Sequence, residues 1–417
     1  MTPDRAEPTR SDGPEPTRPE PVVPPRPEPV EGLSSTGSDR RLDGPAIAVI
    51  GIHGHGASHV RNAVGQGRLV AVIDPRPPVE GSEAASAGTP WYPSLDEFLA
   101  TGVAVDVAVL CTPLPTHASM TTTLLQAGAD VLLEKPPTTT MAEFTELLAV
   151  EAETGRIVQV GFQSLGSDAL AEVAEIVARG EIGELSHIGV AGTWVRATSY
   201  FRRAAWAGKR VLDGRPVVDG VTTNPLAHAT ATALRLAGAR RVEDVVDIDL
   251  ELYRANDIEA DDTTSLVLRS TTGPTIAGAL TLCAPVNTDP WVAVYGSRGV
   301  VRLYYTRDVV GVEIDGTAPT LTTYGRVDLL GNLLAHRADG TPLLNPLVDN
   351  GAFMAVMEAV RLAPNPAAIP AELVSWEPVE GAEPPDVHPV VSGVAEAVER
   401  VASTGQGFRA VGAPWTT

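Results

Sequence analysis

Pro45-Ala-Ile-Ala-Val-Ile-Gly-Ile-His-Gly-His-Gly56 decides how the chain is read. Residues 46–50 are a short, continuous apolar run that ends in a glycine-rich turn, and residues 57–66 read as a helix. A strand, a glycine turn and a helix in succession let backbone amides approach a pyrophosphate, which the positive end of the helix then stabilises. The usual G-x-G-x-x-G spacing would use Gly51, position 53 and Gly56. Position 53 is instead His53, with Gly54 beside it and His55 next. Asp74 closes the following apolar run, 69–73, roughly 20 residues on, where an acid can take ribose hydroxyls. Gly51, His53, Gly54, His55, Gly56 and Asp74 are therefore the expected dinucleotide contacts. His53, His55 and His59 also raise the possibility of a metal. The sequence offers them no neighbouring Cys or carboxylate, and no metal is expected.

Working outward, apolar runs recur at 107–111, 131–133 and 157–161, with helical stretches at 117–127 and 141–153. Alternation of this kind predicts a parallel sheet covered on both faces. The texture changes beyond residue 165. Helices are expected over 169–179, 226–237 and 351–362, and a strand over 184–195. Runs with strand character follow at 245–253, 264–268, 275–282, 291–295 and 300–305, separated by Gly, Asn, Asp and Pro, which suggests a mostly antiparallel sheet. The expected class is α/β, with three segments. Residues 1–44 hold ten prolines and no apolar period and read as a disordered leader. Residues 45–165 form a dinucleotide-binding domain and 166–417 a substrate-binding domain.

Composition narrows the partners. The formal charge is −21 over 417 residues, which disfavours nucleic acid and anionic lipid surfaces. Asp106 interrupts the most apolar stretch, 102–111, so no membrane span is expected. The two cysteines, Cys111 and Cys283, form neither a disulfide framework nor a zinc knuckle, and the expected compartment is the reducing cytoplasm.

Of 31 basic residues only Lys135 and Lys209 are lysine. Where Arg serves as the general cation, a surviving Lys reflects either a need for a compact ammonium that donates in three directions and shifts its pKa, or chance. Lys135 lies in Glu134-Lys-Pro136, after the fourth apolar run, where nicotinamide and substrate would meet. Cys111-Thr-Pro-Leu-Pro-Thr-His117 follows the third run and supplies another loop at the carboxyl edge of the sheet.

Gly51–Gly56, His59, Asp74, Thr112-Pro113, His117 and Glu134-Lys-Pro136, in this order, resemble the Gfo/Idh/MocA oxidoreductases, with Gly161-Phe-Gln163, Ile182-Gly-Glu184 and Tyr295-Gly-Ser-Arg-Gly299 as further landmarks. The resemblance covers about residues 45–315. It implies a Rossmann domain followed by an α/β domain on a large open sheet, a homo-oligomer built through that sheet, and NAD or NADP as cofactor. It adds Thr112, Pro113, His117, Glu134, Lys135 and Gln163 to the cofactor contacts. The family's catalytic set is the Glu-Lys-Pro lysine with an Asp-x-x-x-His pair. The matching stretch here is Asn224-Pro-Leu-Ala-His228, so Asn stands where aspartate is usual. A spacing of four is expected to put Asn224 and His228 on one helical face.

The implied activity is hydride transfer between a secondary alcohol of a sugar or polyol and the nicotinamide. Lys135 and His228 are the expected catalytic groups, and Lys135, Asn224 and His228 the expected substrate contacts. NAD is favoured over NADP because Asp74 repels a 2′-phosphate, although Arg76 lies two residues on. Alternatives are a redox-neutral, NAD-dependent glycosidase and a dinucleotide-binding sensor without turnover.

Overall fold

Residues 46–50 are apolar at every position because the strand they form has two cores to feed. In the computed structural model, which describes residues 44–416, β1 (Ala46–Ile50) is buried along its whole length. Ala48 and Ile50 face one hydrophobic cluster, Ile47 and Val49 the other. β4 (Val107–Leu110) and β5 (Asp130–Leu133) divide their side chains between the same two clusters. Strand residues alternate between faces, so a strand covered on both sides must be apolar throughout. With β2 (Arg68–Ile73), β3 (Trp91–Tyr92) and β6 (Val158–Val160), they form a parallel sheet in the order β3-β2-β1-β4-β5-β6. The order reverses between β1 and β4. Ligands of such sheets bind at the carboxyl ends of the strands beside that switch point.

The second sheet is built on β7 (Leu185–Thr193). Thr275–Thr281, Thr263–Ser270, Val245–Arg254 and Ala367–Ala368 lie to one side; Trp291–Gly296, Gly299–Tyr304, Val309–Ile314 and Thr320–Thr323 lie to the other. Two of its pairings are parallel, β7 with Thr275–Thr281 and Val245–Arg254 with Ala367–Ala368, and the rest are antiparallel. Even-numbered β7 residues face helix Ala227–Leu236: a Cβ on Gly192 would lie 2.8 Å from Leu226, which caps that helix. Odd-numbered ones face helix Val394–Thr404, where Ala402 O would be 2.2 Å from a Cβ on Gly189.

Four helices were not expected from the sequence: the short Glu83–Ser86 and Leu95–Ala100, and two longer ones. Val394–Thr404 carries Val394, Ala397, Val398 and Val401 toward the sheet, a three-to-four spacing bounded by Gly393 and Gly405. Leu329–Asp339 is capped by Asp328, whose side chain accepts from the Gly331 N–H, and ends at left-handed Gly340. It returns to the first sheet, where Leu329, Leu330 and Leu333 complete the cluster formed by Ile47, Val49, Val107 and Leu132. Arg337 pairs there with Asp106 and Asp130. Such long-range closure leaves little local trace in the sequence.

The proline-rich stretch 1–44 lies, apart from its last residue, outside the described residues. All described residues belong to one compact unit, and no helix among them is long and apolar enough to cross a membrane.

Candidate active site

At the carboxyl ends of β1, β2, β4, β5 and β6 a cleft of about 1430 Å³ opens toward the segment 200–228. Every sequence-predicted site residue except Gly56 lines it. Gly51 adopts φ +84, and a Cβ there would lie 2.1 Å from Cys111 O. A Cβ on Gly56 would lie 1.9 Å from Gly51 O. These two glycines are thus fixed by close backbone packing. Gly51→Ala combines that overlap with a left-handed backbone, whose strain alone is ~1–3 kcal/mol. It is expected to lower the thermal unfolding temperature and dinucleotide affinity together; an unchanged Tm would contradict the packing argument.

Position 53, where a glycine was expected, holds its imidazole away from the turn, with Nε2 3.6 Å from Asp74 Oδ1 and 3.4 Å from Arg76 O. The helix Gly56–Gln66 has no acidic residue in its first turn and no side-chain cap. Its positive end is open to an anion. Asp74 is buried, and its carboxylate accepts the backbone N–H groups of Ile52 at 3.2 Å and Arg76 at 2.9 Å. The Arg76 Nε lies 3.8 Å from Asp74 Oδ1, on a largely exposed side chain.

His117 is placed as a bracket. Its ring nitrogens meet Pro136 O at 2.8 Å and Thr112 O at 2.9 Å, tying the loop after β4 to the loop after β5. Burial lowers its pKa against the pull of the two carbonyls. Thr112 Oγ1 is 2.7 Å from Thr116 Oγ1 in the same loop. Cys111 beside it is no nucleophile, since burial pushes its thiol up to about 12.

Glu134 gathers several donors. Its Oε1 lies 2.8 Å from His59 Nε2, 2.8 Å from Gln163 Nε2 and 3.5 Å from His55 Nε2, and its Oε2 accepts the Lys135 N–H at 3.1 Å. Burial opposes ionisation, yet the two histidines hold its carboxyl well below the usual carboxylate range. The hydrogen bond to Glu134 in turn raises the His55 pKa. The expectation that no carboxylate joins these histidines is corrected here. The ligand atoms of His55, His59 and Glu134 lie within 4.8 Å of one another, close enough to hold a metal ion. Residues 75 positions apart meet because β1 and β5 both end at the cleft, a contact that sequence spacing does not reveal.

Lys135 Nζ reaches across to the second half of the chain, donating to Asn224 O at 3.0 Å and Asn224 Oδ1 at 2.9 Å. Burial lowers its pKa; Glu134 and Asp219 oppose the shift. The single helical face expected for Asn224 and His228 is not formed. The helix begins at Ala227, and Asn224 sits in the turn before it. Pro225 disfavours a helical conformation in the residue preceding it, and this detaches Asn224. His228, in the first helical turn, is half-buried, with Nδ1 3.4 Å from Ser164 Oγ and its ring edge-on to Phe162 at 5.5 Å. Burial pushes its pKa down to about 3, and the Lys135 charge adds to this.

Two groups that the sequence does not single out, Asp219 and Arg203, line the cleft, and a third, buried Ser164, stands behind it. Asp219 accepts Asn224 Nδ2 at 2.6 Å, Ser164 orients His228, and Arg203 stacks 3.6 Å above Tyr200 and 4.5 Å from the Trp206 centroid. An acid five residues before an asparagine that replaces an acid was the available signal for Asp219. Lys209 lies apart from the cleft, in an exposed pair with Glu259.

Comparison with known proteins decides the lineage. Residues 46–162 match the model of the oxidoreductase family with the NAD-binding Rossmann fold, and residues 170–302 match the GFO/IDH/MocA C-terminal domain. Together they take in more than half of the chain. The chain belongs to the Gfo/Idh/MocA oxidoreductase family. Its first sheet is that family's NAD-binding domain. Inositol 2-dehydrogenase of Rhodococcus jostii is 33% identical over 145 residues, which cover 33% of this chain and 39% of that protein. The chain thus matches about two-fifths of that relative's length. Among solved structures, the WlbA dehydrogenase of Bordetella pertussis, in complex with NADH and UDP-GlcNAcA, has a TM-score of 0.62 at 22% identity and covers 75% of this chain and 94% of its own. Aldose–aldose oxidoreductase of Caulobacter crescentus has a TM-score of 0.63 at 19% identity, with 76% and 96% covered. These two likenesses are of fold.

Proposed function

We propose that this Gfo/Idh/MocA family member is an NAD-dependent dehydrogenase acting on a secondary alcohol of a sugar or polyol, the class to which inositol belongs. The observation that carries the reading is one cleft with the glycine turn and Asp74 at one end and Lys135 and His228 at the other. Residues 45–165 hold the nucleotide and 166–417 the substrate, apart from Lys135, which serves both.

The site suits NAD: Gly51 and Gly56 admit no side chain, the helix start is uncapped, and a carboxylate stands at the end of β2. When bound, the nicotinamide accepts the hydride. Lys135 commits two donors to Asn224 and keeps the third for the reacting oxygen, which it orients and whose alkoxide charge it stabilises. His228 takes the hydroxyl proton at Nε2, with Nδ1–H donating to Ser164 Oγ. Burial keeps the imidazole unprotonated before the step, although the same lowering makes it a weaker base. Glu134, held ionised by His55 and His59 and bonded by Gln163, would accept a ribose hydroxyl of the bound cofactor.

The test is a panel of sugars and polyols, inositols included, with each cofactor. Net accumulation of reduced nicotinamide is expected. Release of a free sugar from a glycoside without that accumulation would select the redox-neutral hydrolase, and ligand binding with neither would select a sensor. Asp74 repels a 2′-phosphate, so kcat/KM should favour NAD over NADP by roughly tenfold or more, about 1.4 kcal/mol. Asp74→Ala should erase the preference. Wild-type efficiency that is equal or better with NADP would show that Arg76 outweighs Asp74.

The free thiols of Cys111 and Cys283 support a reducing, cytoplasmic setting. A homo-oligomer through the second sheet would have to use strands beyond helix Val394–Thr404, which covers the face of β7 opposite helix Ala227–Leu236. Mass measurement in solution tests it.

A further inference from the structure

Asp219 stands behind Asn224 in a line that ends on the Lys135 ammonium. Its Oδ1 accepts Asn224 Nδ2 at 2.6 Å, and Asn224 Oδ1 accepts Lys135 Nζ at 2.9 Å. A reversed amide would set its NH2 against the ammonium and its oxygen against the carboxylate, so only one orientation is allowed. Asp219 is itself tightly held. It is 6% exposed, and its Oδ2 accepts the Gly208 N–H at 2.7 Å, with Arg203 at 3.4 Å. The residue before it, Val218, is buried at φ +54, a left-handed conformation that a β-branched residue adopts only under strain. Thr223 Oγ1 fixes that turn by donating to Val218 O. Strain of this kind, over-determined by its surroundings, marks segments that aim a functional group.

We infer that Asp219 is the positioning residue of the Lys135 site, acting through the Asn224 amide in place of a carboxylate at position 224. The inference rests on the dehydrogenase reading, in which Lys135 touches the reacting oxygen. The carboxylate fixes the direction of the amide and polarises it, which strengthens the acceptor that holds the ammonium. The third ammonium donor is thereby aimed at the substrate.

A carboxylate swap tests the line. In Asp219→Asn the amide at 219 still has an oxygen for the Gly208 N–H, but it supplies no charge and turns its NH2 toward Asn224 Nδ2, which breaks the line. Turnover is expected to fall on the order of tenfold, less than the ~10²–10³-fold for loss of a stabilising donor, with KM for NAD unchanged. Asn224→Asp sets two carboxylates at hydrogen-bond distance, where both cannot stay ionised, and is expected to be impaired as well. The double variant Asp219→Asn/Asn224→Asp rebuilds the same line with the charge one place nearer Lys135 and should recover most of the turnover. A purely structural Asp219 would give no such rescue.

A readout free of turnover separates this inference from the activity it rests on. With only two lysines, nitrogen-labelled ammonium NMR gives two signals, and Lys209→Arg assigns them. The Lys135 ammonium protons should exchange slowly in the wild-type protein and the double variant, and fast in Asp219→Asn. Rescue of both readouts supports the line. Slow exchange that is lost and restored in a protein without dehydrogenase turnover keeps the line and overturns only the proposed activity. Asp219→Asn with wild-type turnover and exchange, or a double variant no better than the weaker single one, overturns the inference.

Discussion

Lys135→Ala is expected to lower turnover by ~10²–10³-fold, the usual cost of removing one donor aimed at a developing oxyanion. NAD affinity should change little if, as proposed, the glycine turn and Asp74 at the far end of the cleft hold the pyrophosphate and the adenosine ribose. The substitution also strips Asn224 O and Oδ1 of their partner. Lys135→Met, which keeps the stem and loses only the ammonium, therefore belongs beside it. Equal losses in the two variants, with NAD titration unchanged, identify the charge as the lost element. Near-wild-type turnover in Lys135→Met would remove Lys135 from the chemistry.

His228→Ala should cost ~10²–10⁴-fold in the oxidation direction, the range for a single general acid–base group. The structure adds a sign to its pH behaviour. Burial and the neighbouring Lys135 push the ring to about 3, while Glu134 pulls the other way and Arg326 and His55 add to the lowering. The imidazole therefore stays neutral through the ordinary histidine range. The free-enzyme profile, kcat/KM against pH, should show no histidine inflection near 6.5. An inflection there that His228→Ala abolishes would contradict a neutral ring held at low pKa. Stability carries the same signature. Between pH ~6.5 and 3 the unfolded chain binds a proton that the folded chain refuses, so stability falls as pH falls through this window. His228→Gln should flatten that slope in acid unfolding curves.

What the sequence disclosed follows from how each feature is encoded. The parallel sheet was legible because β1 and β4 are apolar at every position, and β5 at every position but Asp130, to serve two cores, and the periods of the intervening helices are local. Glu134-Lys-Pro136 stood out by its place after the fourth apolar run, and His228 was reached only through the family resemblance. The Asn224 geometry was misread because spacing alone ignores Pro225, which keeps the preceding residue out of the helix. The carboxylate facing His55 and His59 went unseen because it comes from another strand end. Asp219 carried a faint local signal, and its role depends on a turn at Val218 that no propensity would choose. The helices Leu329–Asp339 and Val394–Thr404 pack against surfaces made far earlier in the chain, and only the folded chain pairs them.

The central claim is that hydride leaves a secondary alcohol carbon in the cleft between Lys135 and His228. It is tested most directly with a sugar or polyol deuterated at the reacting carbon, incubated with the protein and NAD, and with the NADH formed read by mass spectrometry. NADH heavier by one deuterium is expected, formed by the wild-type protein and not detectably by Lys135→Met/His228→Gln. Unlabelled NADH, or labelled NADH formed by the double variant at the wild-type rate, would contradict it.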